Sequence, residues 1–450
     1  MFGLKKSCIQ GKSRAEKAVF NGFGWGNGQL RPAEQNNCDY LGGSLKQGIG
    51  LTPYMDEEND EMTYYGMPTA VAAQIFLVDD DGERRAQAFL VGSDGFLYRR
   101  QENGGCEKRR LVGDGLRYDK LRGEDGVDYH LLTTSNGVYA TVDGDVLYIL
   151  SEGESVVGGC VCGGRYFYAL EKGELRYSAP LKLYMEEDED STGGGALYLP
   201  VNEGRVVGAQ AFDGEVYVFM EKAIYRLSVS ADARGFCLRK LVYAGGTPIV
   251  GSITATGRGV LFLTADGLYM AKGENAKRFC AHLPIGVCDS EYACKVGSCE
   301  GLAILEYREK LGGEKYIRRV VIDAEREDGY FTEAYAPLSE GGFSAMTGRI
   351  YRFVKEGEDL LRGEEPRFVS ERLRFGTDKK KRLKKLRLQG AGEILVRVRC
   401  DGAVRSYSSV FVGGEGVIRL TEKGKDFFIE LYPKTGARVD GLEIEYNVEG

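Results

Sequence analysis

The sequence predicts a nearly all-β protein whose main body repeats one hairpin about seven times. Its 27 tyrosines and 20 phenylalanines alternate with polar residues in short segments, as in strands that bury one face. Glycine is unusually frequent, with 64 residues among 450, and proline is scarce, with 10. Asp-Gly and Asn-Gly pairs separate the alternating segments and supply the positive φ that a two-residue hairpin turn needs. The glycines are therefore expected mainly in turns.

Each repeat consists of a strand, a tight turn and a second strand that begins with an aliphatic residue followed by tyrosine. The seven marker tyrosines are separated by 50, 29, 48, 44, 47 and 35 residues. Most of these intervals match a four-stranded blade, so we predict a six- or seven-bladed β-propeller over residues 62–361. A solenoid or a pair of β-sandwiches would use the same hairpins. The markers are Tyr98, Tyr148, Tyr177, Tyr225, Tyr269, Tyr316 and Tyr351.

The interval of 29 residues between Tyr148 and Tyr177 is the exception. Either one blade is abbreviated there, or two repeats share a blade and the blade count is six. A single hairpin is marginally stable in water and hides only one face, so several repeats must stack their faces together.

Two segments outside the repeats differ from them in composition. Residues 1–61 are rich in Gly, Asn and Lys and lack clear periodicity, which predicts an extended N-terminal arm that gains its order from a partner. Residues 362–450 contain five or six alternating strands with glycine turns, which predicts a small C-terminal β-sandwich. Helix is expected at most in residues 14–20 and 380–387.

Charge and cysteine usage limit the class of protein. The formal net charge of −7 favours solubility and does not indicate a nucleic-acid or acidic-lipid partner for the chain as a whole. The eleven cysteines are scattered without a CxxC pair, so neither a disulfide framework nor a zinc site is indicated, and synthesis in a reducing cytoplasm fits best. Apolar runs are far shorter than the ~18–20 residues of a membrane span, and no signal peptide is recognised.

Histidines and cysteines are the first candidates for chemistry. His130 and His282 lie beside apolar residues, and we interpret both as hydrogen-bonded structural histidines, with a catalytic base as the alternative. Cys160 and Cys162 fall on one face of a strand and are interpreted as small buried hydrophobes, with a metal site as the alternative.

Acidic clusters are the remaining candidates. Residues 79–81 and 186–190 lack the ordered spacing of a calcium loop and are interpreted as solvated loops, with weak cation binding as the alternative. No facing pair of carboxylates can be nominated for a glycosidase. We therefore predict a non-enzymatic protein with no catalytic residue, no cofactor and no metal.

Basic residues are concentrated at two places of this acidic chain. The run at residues 379–387 is predicted either to contact phosphates or an acidic partner, or to form a solvated strand edge that blocks aggregation. The candidates for phosphate or partner contact are Lys379, Lys380, Lys381, Arg382, Lys384 and Lys385, with Arg387 in the same run. The candidates for assembly through the arm are Lys5, Lys6, Arg14, Lys17 and the only tryptophan, Trp25.

Two passages together resemble a known family. Residues 243–287 resemble a blade of phage tail propellers, and residues 20–54 resemble the leading arm of the nozzle and packaged-DNA-stabilising tail proteins of short-tailed phages. The blade motif is carried by Gly246, Thr247, Ser252, Phe262, Leu263, Thr264, Asp266, Gly267 and Tyr269.

The resemblance implies a structural virion protein of the tail or neck. Such a protein forms a ring of copies, as a nozzle or head-to-tail connector, and retains or conducts DNA for ejection. The implied partners are other copies of the chain, adjacent portal, adapter or tail proteins, and double-stranded DNA. The alternative is a carbohydrate-binding or receptor-binding propeller whose tyrosines stack on sugar rings, or less favourably a glycosidase. A third interpretation is an intracellular scaffold.

Overall fold

A computed structural model describes residues 13–19, 32–41, 43–55, 60–80, 83–183, 193–311, 313–357, 360–363, 365–370, 372–375 and 377–449. Among these residues there are forty β-strands, no α-helix and three short 3-10 helices, Val201–Glu203, Ala233–Gly235 and Glu340–Gly342. The backbone forms two compact units. The larger unit comprises Pro53–Glu327 and Ala336–Phe353, and the smaller unit comprises Met1–Thr52, Asp328–Tyr335 and Val354–Gly450.

The strands are numbered in chain order. The first five are β1 (Ser13–Val19), β2 (Pro32–Asn36), β3 (Cys38–Asp39), β4 (Leu45–Gln47) and β5 (Gly50–Pro53). The next sixteen are β6 (Ala70–Asp80), β7 (Glu83–Gly92), β8 (Phe96–Arg100), β9 (Cys106–Leu111), β10 (Arg117–Arg122), β11 (Asp128–Thr134), β12 (Gly137–Thr141), β13 (Tyr148–Glu152), β14 (Val156–Cys162), β15 (Arg165–Leu170), β16 (Glu174–Tyr177), β17 (Gly195–Tyr198), β18 (Val206–Phe212), β19 (Glu215–Met220), β20 (Ile224–Ser228) and β21 (Cys237–Lys240).

The remaining strands complete both units. They are β22 (Thr254–Ala255), β23 (Val260–Thr264), β24 (Gly267–Lys272), β25 (Asn275–Arg278), β26 (Val287–Cys288), β27 (Lys295–Cys299), β28 (Leu302–Leu311), β29 (Glu314–Asp323), β30 (Asp328–Thr332), β31 (Phe343–Met346), β32 (Arg349–Val354), β33 (Arg367–Ser370), β34 (Lys381–Ala391), β35 (Glu393–Cys400), β36 (Ala403–Val410), β37 (Glu415–Arg419), β38 (Lys423–Gly424), β39 (Phe427–Pro433) and β40 (Arg438–Val448).

Seven antiparallel sheets follow one another along the larger unit. The first five are four-stranded and keep the order of the chain: β6 to β9, β10 to β13, β14 to β17, β18 to β21 and β22 to β25. In the sixth sheet β26 and β27 both pair with β28, which pairs with β29. In the seventh sheet β31 pairs with β32. This succession of meanders is the architecture of a seven-bladed β-propeller.

The ring of blades is closed by residues from both ends of the larger unit. The N–H of Tyr54 donates to the carbonyl of Ile350 at 2.8 Å, and the N–H of Ile350 donates to the carbonyl of Met62 at 2.9 Å. Thr63 forms an antiparallel bridge with Arg349, and strand β31 contacts β6 of the first blade. Residues that precede the first blade therefore complete the last one.

Buried apolar side chains join neighbouring blades. Phe167 of the third blade and Met220 of the fourth share one core cluster. Leu90 of the first blade and Ile350 of the seventh share another, so the closing contact is apolar as well as hydrogen-bonded. These four side chains are 0% exposed. Full burial of such a side chain is worth about 1.5–3 kcal/mol, which supplies the stability that an isolated hairpin lacks.

Glycines on inner strands allow neighbouring blades to approach closely. Strand β14 contacts β18, and a Cβ at Gly158 would lie 2.6 Å from the backbone nitrogen of Ala209. A Cβ at Gly208 would lie 2.5 Å from the side chain of Ile253. These glycines belong to strands, so turns do not account for all of the glycine in the sequence.

The marker tyrosines do not all mark equivalent strands. Tyr148 lies on the outer strand β13 and is 46% exposed, whereas Tyr139 on the third strand of the same blade is fully buried. The repeats that contain Tyr148 and Tyr177 occupy separate sheets, so no blade is shared or missing. The interval of 29 residues is short because Tyr148 lies on the fourth strand of its blade, whereas Tyr177 lies on the third strand of the next blade. Four markers do lie on third strands: Tyr98, Tyr177, Tyr225 and Tyr269.

In two blades, an aspartate of the hairpin turn holds the marker tyrosine of the following strand. The Tyr98 hydroxyl donates to the Asp94 carboxylate at 2.8 Å, and the Tyr269 hydroxyl donates to Asp266 at 3.0 Å. In both blades the turn carboxylate thereby fixes the side chain of the third residue of the next strand.

The smaller unit is a two-sheet β-sandwich. One sheet has the order β3-β4-β40-β34-β37, with β1 also paired to β40 and β38 also paired to β34. The other has the order β2-β33-β39-β35-β36. The predicted C-terminal sandwich is confirmed, and the segment predicted as an extended arm contributes β1 to β4 to it. The boundaries predicted at residues 61 and 361 stay predictions. Residues 13–19 and 381–391 are strands, so the helix expected there is wrong.

Substitution of Gly158 tests the close approach of the inner strands. We expect Gly158→Ala to lower the free energy of unfolding by about 1–3 kcal/mol, because the new methyl group overpacks against backbone. Chemical denaturation followed by far-UV circular dichroism measures the change in the free energy of unfolding. Gly246→Ala is the control, since its Cβ would lie 3.6 Å from Asp266, an ordinary contact. Equal stability of the two variants would contradict the packing role of Gly158.

Candidate functional site

His130 is a packing residue in the structure. Its ring stacks on Phe76 with a centroid distance of 4.4 Å, and its Nδ1 lies 3.0 Å from the hydroxyl of Tyr118. Burial lowers the pKa of His130 to about 4, so the imidazole is neutral at pH 7. These contacts agree with the structural interpretation of His130. His282 is exposed.

The cysteines at positions 160 and 162 are buried in the core between the third and fourth blades. Burial raises the pKa of Cys162 to about 11 and raises the pKa of Cys160 well above its usual value, so both thiols stay protonated. Within the described ranges, no group of three or more His, Cys, Asp or Glu side chains is placed to hold a metal ion. The acidic run 186–190 lies outside those ranges.

A surface cavity of about 370 Å³ lies beside the third and fourth blades. Its charged side chains form ion pairs with one another and with their neighbours: Arg205 with Glu171 at 2.7 Å, and Lys172 with Glu154 at 3.5 Å. The lining residues are Glu154, Ser155, Leu170, Glu171, Lys172 and Arg205. Because these charges already neutralise one another, the cavity is less suited to a strongly charged ligand than an unpaired cluster would be.

From Lys381 onward, the basic run lies on a strand inside the larger sheet of the sandwich. Strand β34 pairs with β40 on one side and with β37 and β38 on the other. The prediction of a solvated edge at this run is therefore wrong, because both sides of the strand are hydrogen-bonded. The alternating side chains of the run mimic an exposed edge in sequence, but only their outward half meets solvent.

One predicted contact residue points away from solvent. Lys381 is fully buried, and its ammonium group donates to the backbone carbonyl of Thr377 and to that of Lys425 at 3.4 Å. Burial lowers the pKa of Lys381. The assignment of Lys381 to phosphate contact is therefore wrong, and its role is to satisfy carbonyl groups at the start of β34.

The other residues of the run are brought together on the outward face. Lys385 stands opposite Arg419 of β37 and Glu445 of β40. Arg382 stands opposite Lys423 of β38. We call this surface the basic face, and its exposed or half-buried members are Lys379, Lys380, Arg382, Lys384, Lys385, Arg387 and Arg419.

Acidic residues flank the basic face on both neighbouring strands, and on β37 Glu415 stands opposite Gln389. Arg387 stands opposite Glu443 and donates to Glu445 at 2.7 Å. Exposed ion pairs of this kind are worth ~0–1 kcal/mol and leave much of the local field in place. The seven cations of the basic face outnumber the neighbouring glutamates, so the face keeps an excess of positive charge.

The two units differ in charge. Counted on the sequence, the larger unit has 45 acidic and 33 basic residues, and the smaller unit has 22 acidic and 27 basic residues. The basic face therefore belongs to a positive unit of a chain whose net charge is −7. Overall composition hides this separation.

The arm candidates are described only in part. Lys5, Lys6 and Trp25 lie outside the described residues. Arg14 and Lys17 lie on β1, where Lys17 stands opposite Glu443 of β40 in the strand register. Sequence analysis missed Arg419 and Lys423, because they join the run only through strand pairing. The one sequence signal for Arg419 is the alternation within residues 415–419.

Comparisons with known proteins do not identify a family. No family model matches the chain, and no curated protein matches it significantly. One structural neighbour is PorZ, a surface component of the type-IX secretion system of Porphyromonas gingivalis, at 14% identity and a TM-score of 0.36. The match covers 68% of this chain and 44% of PorZ, so it spans less than half of that protein.

A second neighbour is BBS1N, solved in complex with ARL6DN. It shows 8% identity and a TM-score of 0.40, over 70% of this chain and 99% of that one. Identities this low transfer no function. Across the described residues, no helix is long and apolar enough to cross a membrane.

The neutral state of His130 predicts a specific pH dependence. The unfolded chain binds a proton at His130 near pH 6.5, whereas the folded chain binds it near pH 4, so acidification between these values favours unfolding. We expect the neutral state of His130 in the folded chain to lower the free energy of unfolding by about 3 kcal/mol as the pH falls from 6.5 to 4. Urea unfolding of wild type and His130→Phe at pH 7 and pH 4 measures the difference. An identical loss of stability in both proteins would contradict the assignment.

Proposed function

We propose that this chain is a structural, non-enzymatic protein of a phage or phage-like particle, located in the tail or neck, where copies assemble around a DNA path. The observation that carries the proposal is the basic face, a solvent-facing cluster of cations on the sandwich of an otherwise acidic chain. The particle setting is supported by the resemblance of residues 20–54 and 243–287 to phage tail proteins.

The dimensions of the basic face suit a DNA backbone. From Arg382 to Arg387 an extended strand covers about 16 Å. Duplex DNA carries one charge per ~1.7 Å of its axis, so a strand of this length meets several phosphates. Contacts to phosphate carry no sequence information, which is what a protein that retains or conducts packaged DNA requires.

The flanking glutamates fit a transient contact. Glu443 and Glu445 lie beside the cations on β40 and limit the net attraction. A surface that mixes both signs holds DNA weakly and in a salt-dependent way, because its affinity comes from counterion release. DNA can then move past the protein.

Sedimentation of a lysate from the cells that naturally produce the protein tests the particle assignment. We expect the protein to sediment with DNA-containing particles at a fixed copy number per particle. A free protein that binds a glycan would favour the carbohydrate-binding alternative, and a free protein bound to cellular proteins would favour the scaffold. Either outcome would overturn the proposal.

Neutralising the basic face tests its contact with DNA. We expect Arg382→Gln/Lys385→Gln to weaken binding to duplex DNA on the order of 50-fold at about 0.1 M salt, and to lower the slope of log K against log salt by about two. Fluorescence anisotropy with a labelled duplex measures both quantities.

The matched control removes the same charge from the propeller. Lys272→Gln/Lys277→Gln changes two exposed lysines of the fifth blade and should leave the affinity and the slope near the wild-type values. If the two double variants bind alike, net charge rather than the basic face determines binding.

A further inference from the structure

Strand β36 forms one edge of the five-stranded sheet of the sandwich. It ends the order β2-β33-β39-β35-β36, and within the described ranges β35 is the strand that pairs with it. An edge of this kind presents a row of backbone N–H and C=O groups to solvent. Proteins usually protect such edges with lysine, proline or a bulge. Residues 403–410 contain no lysine and no proline, and their pairing with β35 shows no register shift.

The outward face of this edge strand is apolar at both ends. Val404 is 55% exposed and Val410 is 62% exposed. Between them, Ser406 and Ser408 are exposed on the same face. Exposed valine side chains at the two ends of an unpaired edge leave apolar surface in contact with water. Pairing with another strand would bury that surface.

The opposite face of the strand contacts residues of the same chain. Arg405 donates to the hydroxyl of Thr421 at 2.8 Å, and the hydroxyl of Tyr407 donates to Glu422. Ser409 is buried. The strand is therefore fixed in an extended conformation before any partner arrives, which lowers the entropy cost of pairing.

The residue order of the strand is nearly symmetric about Tyr407. Reading outward from this tyrosine, serine occurs on both sides, then Arg405 or Ser409, then valine on both sides. Two antiparallel copies of the strand centred on Tyr407 would place Val404 opposite Val410 and Ser406 opposite Ser408. Each outward pair then consists of two valines or of two serines. Arg405 lies opposite Ser409 of the other copy, so two arginines do not face each other.

We infer that β36 is a homotypic docking edge: two copies of this chain pair β36 with β36 antiparallel, centred on Tyr407, and join their five-stranded sheets into one. A two-fold contact requires a self-complementary surface, which the symmetric residue order supplies. The contact is separate from the basic face and goes beyond the proposed particle function, since it does not depend on DNA.

Charge-pair variants test both the partner and the register. Ser406→Lys/Ser408→Lys places lysine opposite lysine twice across the two-fold axis, and Ser406→Glu/Ser408→Glu places glutamate opposite glutamate. We expect the dissociation constant of each variant to rise about tenfold or more, and its sedimenting mass to fall to half of the wild-type value. Mixing the two variants in equal amounts should restore the wild-type mass, because each lysine then faces a glutamate.

Restoration by mixing also shows that both variants fold. The control is Gln389→Lys/Glu415→Lys, which places two lysines opposite each other within one copy, across β34 and β37, and should keep the wild-type mass. Sedimentation equilibrium from about 1 to 100 µM measures the wild type, the two variants, their mixture and the control. A wild-type protein that is monomeric throughout, a lysine variant of unchanged mass, or a mixture that stays at half mass would each overturn the inference. If β36 instead pairs with a different protein, the purified wild-type protein would be monomeric at every concentration.

Discussion

The closed ring of blades is the constraint on which the larger unit depends. Each blade buries apolar side chains against its neighbours on either side, so a blade with a missing neighbour would expose a core face to water. The hydrogen bonds of Tyr54, Met62 and Ile350 close the ring, and the cluster of Leu90 with Ile350 closes the apolar layer. Sequence-distant residues therefore determine whether the local hairpins are stable.

Close backbone approach follows from the same constraint. Inner strands converge towards the axis of a propeller, where there is least space for side chains. Gly158 and Gly208 remove the Cβ atoms that would meet the next blade. Farther out, space increases and aromatic side chains such as Phe167 fill it. In the third and fourth blades the residue size thus follows the geometry of the ring.

The charges of the two units are used differently. Around the cavity of the propeller, acidic and basic side chains neutralise one another, as Arg205 and Glu171 do. On the sandwich, Lys385 and Arg419 lie side by side and keep a local excess of positive charge. The sandwich thereby carries both proposed contact surfaces, the basic face on one sheet and the β36 edge on the other.

The sequence by itself determined the all-β class, the propeller and the C-terminal sandwich, because alternation and Asp-Gly turns are local properties of the chain. Only the tertiary structure decided the count of seven blades, since Tyr148 and Tyr139 compete as markers and strand order distinguishes them. It also decided that Lys381 is buried and that β34 is not an edge. Which strands pair depends on contacts between residues far apart in sequence, as between Lys385 and Arg419, and no local pattern encodes that choice.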